Sequence, residues 1–383
     1  MDNVSVRKED ELLMSLVHFF VTKENYSPIY VHGVKDEIWL ENVDGPYRII
    51  RISSNSIINE EQFKYDQYRI KDILRQIKNK TLTFNVNALN ININEDSKME
   101  DEGLKHIDNV KVANLEEFEN NKDILEVFPN VKTSMIKDTT GFDLIFNVTR
   151  DINSKTEADN KIYEKIFAPK KIVITYIIMA LCVLMFLVEQ ILMSTHVYTE
   201  TGTYLVLGAT NKALLEMGQI YRIITYAFLH GGIAHLLCNM YSLYVLGPQV
   251  EAKFGKWRYL LIYFISAAAG ALLSACFGST LTVGASGAIF GLMGATVYFG
   301  IKFRLYLKDS IFKTIVPVIL INLFIGFVTP GIDNWCHIGG LIAGYLAALA
   351  VGIPELNKKS DTINGIILSI IFFLALIYMG FFR

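Results

Sequence analysis

The segment TVGASGAIFGLMG, residues 282–294, passes from polar and small residues straight into a helix apolar enough for lipid, with Ser286 held between Gly284 and Gly287 at the point of entry. A hydroxyl at such a place needs a reason, because polar groups inside a bilayer are costly unless they face a protein interior or a wet cavity. The rest of the chain supplies the setting. Of its 383 residues 52% are apolar, and they are unevenly spread: residues 1–165 read as a mixed-charge soluble segment, whereas 172–383 are mostly long apolar runs. Two units follow, one soluble and one membrane-embedded.

The N-terminal MDNVSVRKEDELLMS has no basic region followed by a short apolar core, so no cleavable signal peptide is expected and the soluble unit should stay on the side where it is made. A net charge of −2 offers no basic surface for nucleic acid. The acidic run at Glu95, Asp96, Glu100, Asp101 and Glu102 reads as a solvated loop, with a cation site there as a speculative addition. Cys182, Cys238, Cys276 and Cys336 all fall in the apolar half, lie far apart and form no CxxC pair. They are expected to be small buried hydrophobes, and neither metal nor cofactor is expected.

In the soluble unit SPIYVHG, EIWLENV and YRIIRIS read as strands, with VDGP as the turn between the last two, and EEQFKYDQYRIKDILRQIKNK reads as an amphipathic helix. LTFNVNALNININ alternates but changes phase at Ala88–Leu89, which predicts a bulged strand or two short ones. VKVAN, a helix near LEEFENNKDILEVF, and FDLIFNV complete an α/β domain over 1–165. The element order is faintly that of nuclease-like folds. The acidic-x-Lys pattern such enzymes need is missing from YRIIRIS, and element order alone carries no function. The polar stretch NSKTEADNKIYEKIFAPKK joins the units, with a break at Pro169.

Beyond it lie seven candidate spans, near 172–193, 232–249, 259–277, 286–302, 312–328, 335–353 and 363–382. Each approaches the ~20 residues needed to cross about 30 Å of hydrocarbon. Lys165, Lys170, Lys171, Lys253, Lys256, Arg258, Lys302, Arg304, Lys308, Lys313, Lys358 and Lys359 fall on one side, and only Lys212, Arg222 and Arg383 on the other. That asymmetry places the N-terminal domain in the cytosol and the 196–230 loop and the C-terminus outside.

With this orientation the second, fourth and sixth spans enter from outside, and polar groups mark their entry points: His235 and Asn239 on the second, Ser286 opening the fourth, and His337 in NWCHIGGLIAG on the sixth. At 1.5 Å per residue Ser286 and His337 both lie within roughly 10 Å of the outer interface and can meet at one depth. A serine hydroxyl becomes a nucleophile when a base within hydrogen-bond reach takes its proton, and the histidine is that base. The helix N-terminus leaves the Ser286 amide free to stabilise an oxyanion, and His235 and Asn239, spaced i,i+4, can present further donors to the same oxygen. Gly284 and Gly287 let the loop turn beside the serine, while Gly291, Gly340 and Gly344 let the fourth and sixth spans approach closely. The serine stands at the membrane entry because its substrate lies in the membrane. A soluble hydrolase elbow G-x-S-x-G is excluded, since position 288 is Ala288 and no strand precedes the serine. A GxSG tetrapeptide or a GxxxG pair alone is common; the coincidence of depth, face and side carries the reading.

These residues resemble the rhomboid intramembrane serine proteases over about residues 170–355. GASGAIFG is similar to the family's GxSG segment, which implies Ser286 as nucleophile, and HIGGLIAG to its HxxGxxxG helix, which implies His337 as base. YRIITYAFLHGGIAHLLCN resembles the family's first loop and second helix, implying oxyanion or structural roles for His230, His235 and Asn239 and an ordering role for Arg222. GPQVEAKFG fits GxxxExxxG, with Glu251 implied to be structural. Phe290 stands where the family often has a tyrosine that packs on the histidine, and Cys336 where alanine is usual; a phenylalanine can still stack.

The resemblance implies an all-α polytopic bundle, a six-helix core over 170–355 plus an additional C-terminal helix over 356–383, behind a soluble α/β domain. Of the family's branches it is the Gram-positive bacterial one that this layout resembles. The function it implies is cleavage of transmembrane segments near the outer face of a bacterial plasma membrane, with transmembrane proteins as substrates; the role of residues 1–165 stays open among regulation of the membrane unit, recruitment of a client and sensing of a cytosolic ligand. Two competing readings are a catalytically silent rhomboid-like client-binding protein, which requires neither Ser286 nor His337, and a transporter. The shortage of charge within the spans, where Glu189 near the outer end of the first is the main exception, weakens the second; an anchor or loop contact is expected of Glu189.

Overall fold

The computed structural model describes residues 6–29, 31, 36–42, 45–55, 57–81, 86–93, 106–278, 281–303, 310–354 and 356–382. The chain divides into two compact units, Met1–Lys161 and Ile162–Arg383.

The first unit is built on a five-stranded sheet in the order β1 (Ser27–Ile29), β2 (Glu37–Glu41), β3 (Ile49–Ser53), β4 (Ala88–Asn92), β5 (Ile107–Lys111). The first three strands pair antiparallel and the last two join in parallel. Helix α1 (Lys8–His18) precedes the sheet, and α2 (Glu60–Thr81) makes the crossover that parallel pairing of β3 with β4 requires. The strands β3 and β4 are buried along their whole length, on both faces, which is why ALNIN does not alternate cleanly. The phase change at Ala88–Leu89 therefore marks a doubly covered strand in regular register with β3 and β5, and not the bulge that alternation predicts. The acidic 95–102 segment lies outside the described residues.

One further expectation is corrected in this unit. LEEFENNKDILEVF forms two helices, α3 (Leu115–Asn120) and α4 (Lys122–Val127), because Asn121 turns to an extended backbone and its side chain accepts from the amides of Asp123 and Ile124, capping the second. After the short α5 (Val131–Ser134), FDLIFNV and most of the polar connector form one long helix, α6 (Gly141–Phe167), which stops just before the break expected at Pro169.

The sheet also carries a closed charge network. Arg51, fully buried on β3, donates to Glu37 at 2.5 Å, to both carboxylate oxygens of Asp66 at 2.8 Å and to Asn90 at 2.8 Å, while Arg69 donates to Glu37 and Asp66. The amphipathic face of α2 thus delivers Asp66 as well as Phe63, Ile70 and Leu74 to the interior. Removing one member of a buried ion pair costs about 3–5 kcal/mol, so the arrangement specifies how α2 sits on the sheet.

The second unit is helical: α7 (Ile174–Ser194), α8 (Glu200–Leu207), α9 (Lys212–Glu216), α10 (Arg222–Thr225), α11 (Ile233–Phe254), α12 (Lys256–Phe277), α13 (Ser286–Lys302), α14 (Ser310–Val328), α15 (Asn334–Val351) and α16 (Lys359–Phe381). A helix stands at each of the seven candidate spans. Among the described residues α7, α12, α15 and α16 are each long and apolar enough to cross a bilayer alone, and α11 with the bent turn before it makes a fifth. The exceptions have physical causes. Helix α13 has 17 residues and is buried from Gly287 through Ala295 and beyond, so it is wrapped by other helices rather than by lipid. Helix α11 carries His235, Asn239, Gln249, Glu251 and Lys253. The fold is that of a multi-pass membrane bundle, with α13 packed inside it.

Close packing is set by missing side chains. A Cβ on Gly340 would collide with the carbonyl of Gly287, one on Gly344 with the backbone of Gly291, and one on Gly294 with the Leu341 carbonyl. Helices α13 and α15 therefore touch backbone to backbone, as small-xxx-small pairs do in membranes. Of the cysteines, Cys182 and Cys336 are buried as expected, but Cys276 is half-buried and Cys238 is exposed on α11.

Candidate active site

The backbone contact between α13 and α15 fixes the separation of two side chains. Ser286 opens α13 and His337 lies in the first turn of α15, 51 residues later, with Nε2 2.8 Å from the serine Oγ. His337 is buried and Ser286 half-buried. Phe290, one turn after Ser286, stacks on the imidazole with centroids 4.3 Å apart and planes 10° from parallel. Phenylalanine therefore fills the tyrosine position without loss of the ring-on-ring contact. Gly287 lies beneath: a Cβ there would stand 2.7 Å from Cys336 Sγ and 2.8 Å from the Tyr226 hydroxyl.

The loop carrying Ser286 is tied down on three sides. Thr282 forms a two-way backbone bridge with Thr210, Gly284 donates its amide to the Tyr226 carbonyl at 3.0 Å, and Thr282 Oγ1 donates to Asp333 at 2.7 Å. Asp333 in turn accepts from Ser274 and from the amide of Cys336, capping α15. One carboxylate thus anchors both the loop before the serine and the helix bearing the histidine. Sequence reasoning missed Asp333; its signal was an Asp three residues before Cys336, at a helix start.

Gly284 has φ +121°, a backbone region that side chains rarely enter. A Cβ there would lie 2.7 Å from His235 Nε2 and 3.6 Å from Asn239 Nδ2, so both α11 side chains converge on the turn two residues before Ser286. The Nδ1 of His235 accepts from the Gly231 amide at 3.2 Å. That leaves its proton on Nε2, facing the turn. Asn239 Nδ2 is buried with no hydrogen-bond partner among the described residues. As the first residue of a helix, Ser286 keeps its amide outside the i→i−4 ladder. Three donors therefore border one spot next to the serine.

The remaining site residues act at a distance. His230 is fully buried and edge-on to His235 at 5.4 Å; its amide donates to Glu189 at 3.0 Å, so Glu189 makes a loop contact. Arg222 donates to the carbonyls of Leu205 and Ala209 and to the Gln219 side chain, binding together the segment from α8 to α10. Glu251, toward the far end of α11, accepts from the amides of Val173, Ile174 and Thr175 and from the Thr175 hydroxyl at 2.8–3.0 Å, capping α7. Another residue the sequence reading did not pick out, Asn334, lies against the second nitrogen of His337.

A membrane bundle with a buried histidine hydrogen-bonded to a helix-opening serine, and amide and imidazole donors beside it, has the parts of a serine hydrolase centre. Residues 217–354 match the family model of the rhomboid domain, so that part of the chain is similar to the rhomboid family. It is 29% identical over 360 residues to the rhomboid protease GluP of Bacillus subtilis, an alignment covering 91% of this chain and 70% of that one. It is also similar to two Arabidopsis thaliana proteins: RHOMBOID-like protein 5, at 40% identity over 36% of this chain and 46% of the relative, and Inactive RHOMBOID-like protein 8, at 39% identity over 36% of this chain and 39% of the relative. The chain spans less than half the length of either plant protein.

Proposed function

We propose that the chain is an active intramembrane serine endopeptidase, and the observation that carries this is the 2.8 Å approach of His337 Nε2 to Ser286 Oγ. Ser286 attacks the scissile carbonyl while His337 takes its proton. The tetrahedral oxyanion forms beside Gly284, where the Ser286 amide, Asn239 Nδ2 and His235 Nε2 can donate to it. His337 then returns the proton to the leaving amine, and water hydrolyses the acyl-enzyme by the same route in reverse. The substrate is a transmembrane segment of another protein, and the name of the Bacillus relative, a rhomboid protease, supports this class of activity. The bundle sits in a bacterial plasma membrane with its N-terminus cytosolic, as its basic loops support. Residues 1–165 form a cytosolic domain that tunes the choice or rate of particular clients. The protease core extends over 170–355, with 356–383 as an additional span.

Reconstituted protein should cleave a transmembrane substrate, and Ser286→Ala and His337→Ala should each abolish cleavage while leaving thermal unfolding intact. The double variant should be hardly worse than either single one, since members of a catalytic unit fail together. Appreciable turnover by purified Ser286→Ala would sink the assignment.

A further inference from the structure

The His337 imidazole has a polar neighbour on the side away from Ser286. Asn334, three residues earlier at the start of α15 and 6% exposed, places Oδ1 3.3 Å from His337 Nδ1. The other end of its carboxamide, Nδ2, donates to the Leu323 carbonyl on α14 at 2.9 Å. A carbonyl oxygen only accepts, so the amide nitrogen must face Leu323 and the amide oxygen must face the imidazole. His337 Nδ1 is then the protonated nitrogen, and Nε2 presents its lone pair to the Ser286 hydroxyl. We propose that Asn334 is a positioning residue that locks His337 in the tautomer able to take the serine proton, and that α14 provides the seat that orients it.

The seat has a second part. Gly326 on α14 lies against the same carboxamide, where a Cβ would stand 2.8 Å from Asn334 Cγ and 3.0 Å from Nδ2 and would come closer still to Oδ1. Only a residue without a side chain leaves the amide room to bridge Leu323 and His337. The groups that could substitute for it are otherwise engaged. Asp333 spends its oxygens on Ser274, Thr282 and the Cys336 amide, His235 approaches from α11 with Nδ1 tied to Gly231, and Ser286 on α13 meets the opposite nitrogen. A neutral amide also fixes the tautomer without placing another charge at membrane depth, where charge is costly.

The inference rests on the Ser286–His337 chemistry above, and the experiment separates the two. Full-length protein in liposomes is assayed for kcat, KM and the pH profile of kcat, with Ser286→Ala in parallel. Asn334→Ala should lower kcat about 10- to 100-fold, within the roughly 10²–10⁴ that a positioned general base supplies, with KM within about twofold. Asn334→Asp, whose carboxylate can still accept from Nδ1–H, should recover much of the rate at neutral pH and move the acid limb of the profile upward, because a new negative charge favours the imidazolium. Gly326→Ala should lower kcat in the parent yet cost nothing further in the Asn334→Ala background. Wild-type kcat in Asn334→Ala overturns the proposal, as does an Asn334→Asp profile with no upward shift, or losses from Gly326 and Asn334 that simply multiply. Should Asn334→Ala fail to fold, the other two single variants decide. An inert Ser286→Ala alongside an unimpaired Asn334→Ala refutes the positioning role alone, whereas an active Ser286→Ala refutes the dyad.

Discussion

Asn239 buries a side-chain nitrogen that has no partner among the described residues, a state that costs about 1–3 kcal/mol unless something offsets it. An oxyanion beside Gly284 would be that offset, appearing only as the reaction proceeds. Asn239→Ala should therefore lower kcat by up to about 10²–10³-fold, and less if His235 and the Ser286 amide compensate, while thermal unfolding stays near that of the parent. Steady-state kinetics in detergent beside a melting curve would decide it: an unchanged rate in an equally stable protein removes Asn239 from the site. Phe290 makes a complementary point about single positions. Its ring covers the His337 imidazole in parallel, so what the site takes from this residue is a flat apolar surface.

Helices α13 and α15 hold Ser286 and His337 on separate elements, and their register depends on backbone contact at Gly287, Gly291, Gly340 and Gly344. Gly344 is two turns from His337 and touches no part of the site. Gly344→Val would push against the backbone of Gly291, and overpacking of this kind typically costs about 1–3 kcal/mol. Its kinetic effect should be larger than that suggests, because a displacement of about 1 Å at reacting groups can cost around 10²-fold. Labelling of Ser286 by a fluorophosphonate should slow by at least tenfold in Gly344→Val, with a lowered unfolding temperature; unaltered labelling would show that the helix contact does not control the dyad. At the opposite end of α11, Glu251 satisfies three opening amides of α7 at once, a capping arrangement that matters more in lipid than in water because no solvent is at hand to replace it.

At the scale of the whole chain, the proposed seven-span topology with a cytosolic N-terminus has a measurable consequence. A reporter fused after residue 160 should read as cytosolic and a tag after Arg383 as external, since an odd number of spans puts the two ends on opposite sides. Protease accessibility in intact cells and in inverted vesicles would measure both. The reverse pattern would place Ser286 toward the cytosol and demand substrates cut at their inner ends.

Apolar runs, helix starts and the types of residue at positions 286 and 337 are local properties, and the seven helical segments and the serine–histidine pairing were legible from them. The β3–β4 pair was harder, because a strand covered on both faces loses the alternation by which strands are recognised. Before Pro169 the polar connector is part of a largely exposed helix, α6, a conformation that its polarity alone did not specify. Nothing in a window of a few residues says that Glu251 will cap a helix 76 positions earlier, or that Asp333 will join the serine loop to the histidine helix. The orientation of the Asn334 amide, and with it the tautomer of His337, is set by a carbonyl on α14. Sequence determined which chemical groups are present and which helices carry them; only the tertiary structure decided which lone pair faces which proton, because hydrogen-bond direction depends on partners that are close in space and distant in the chain.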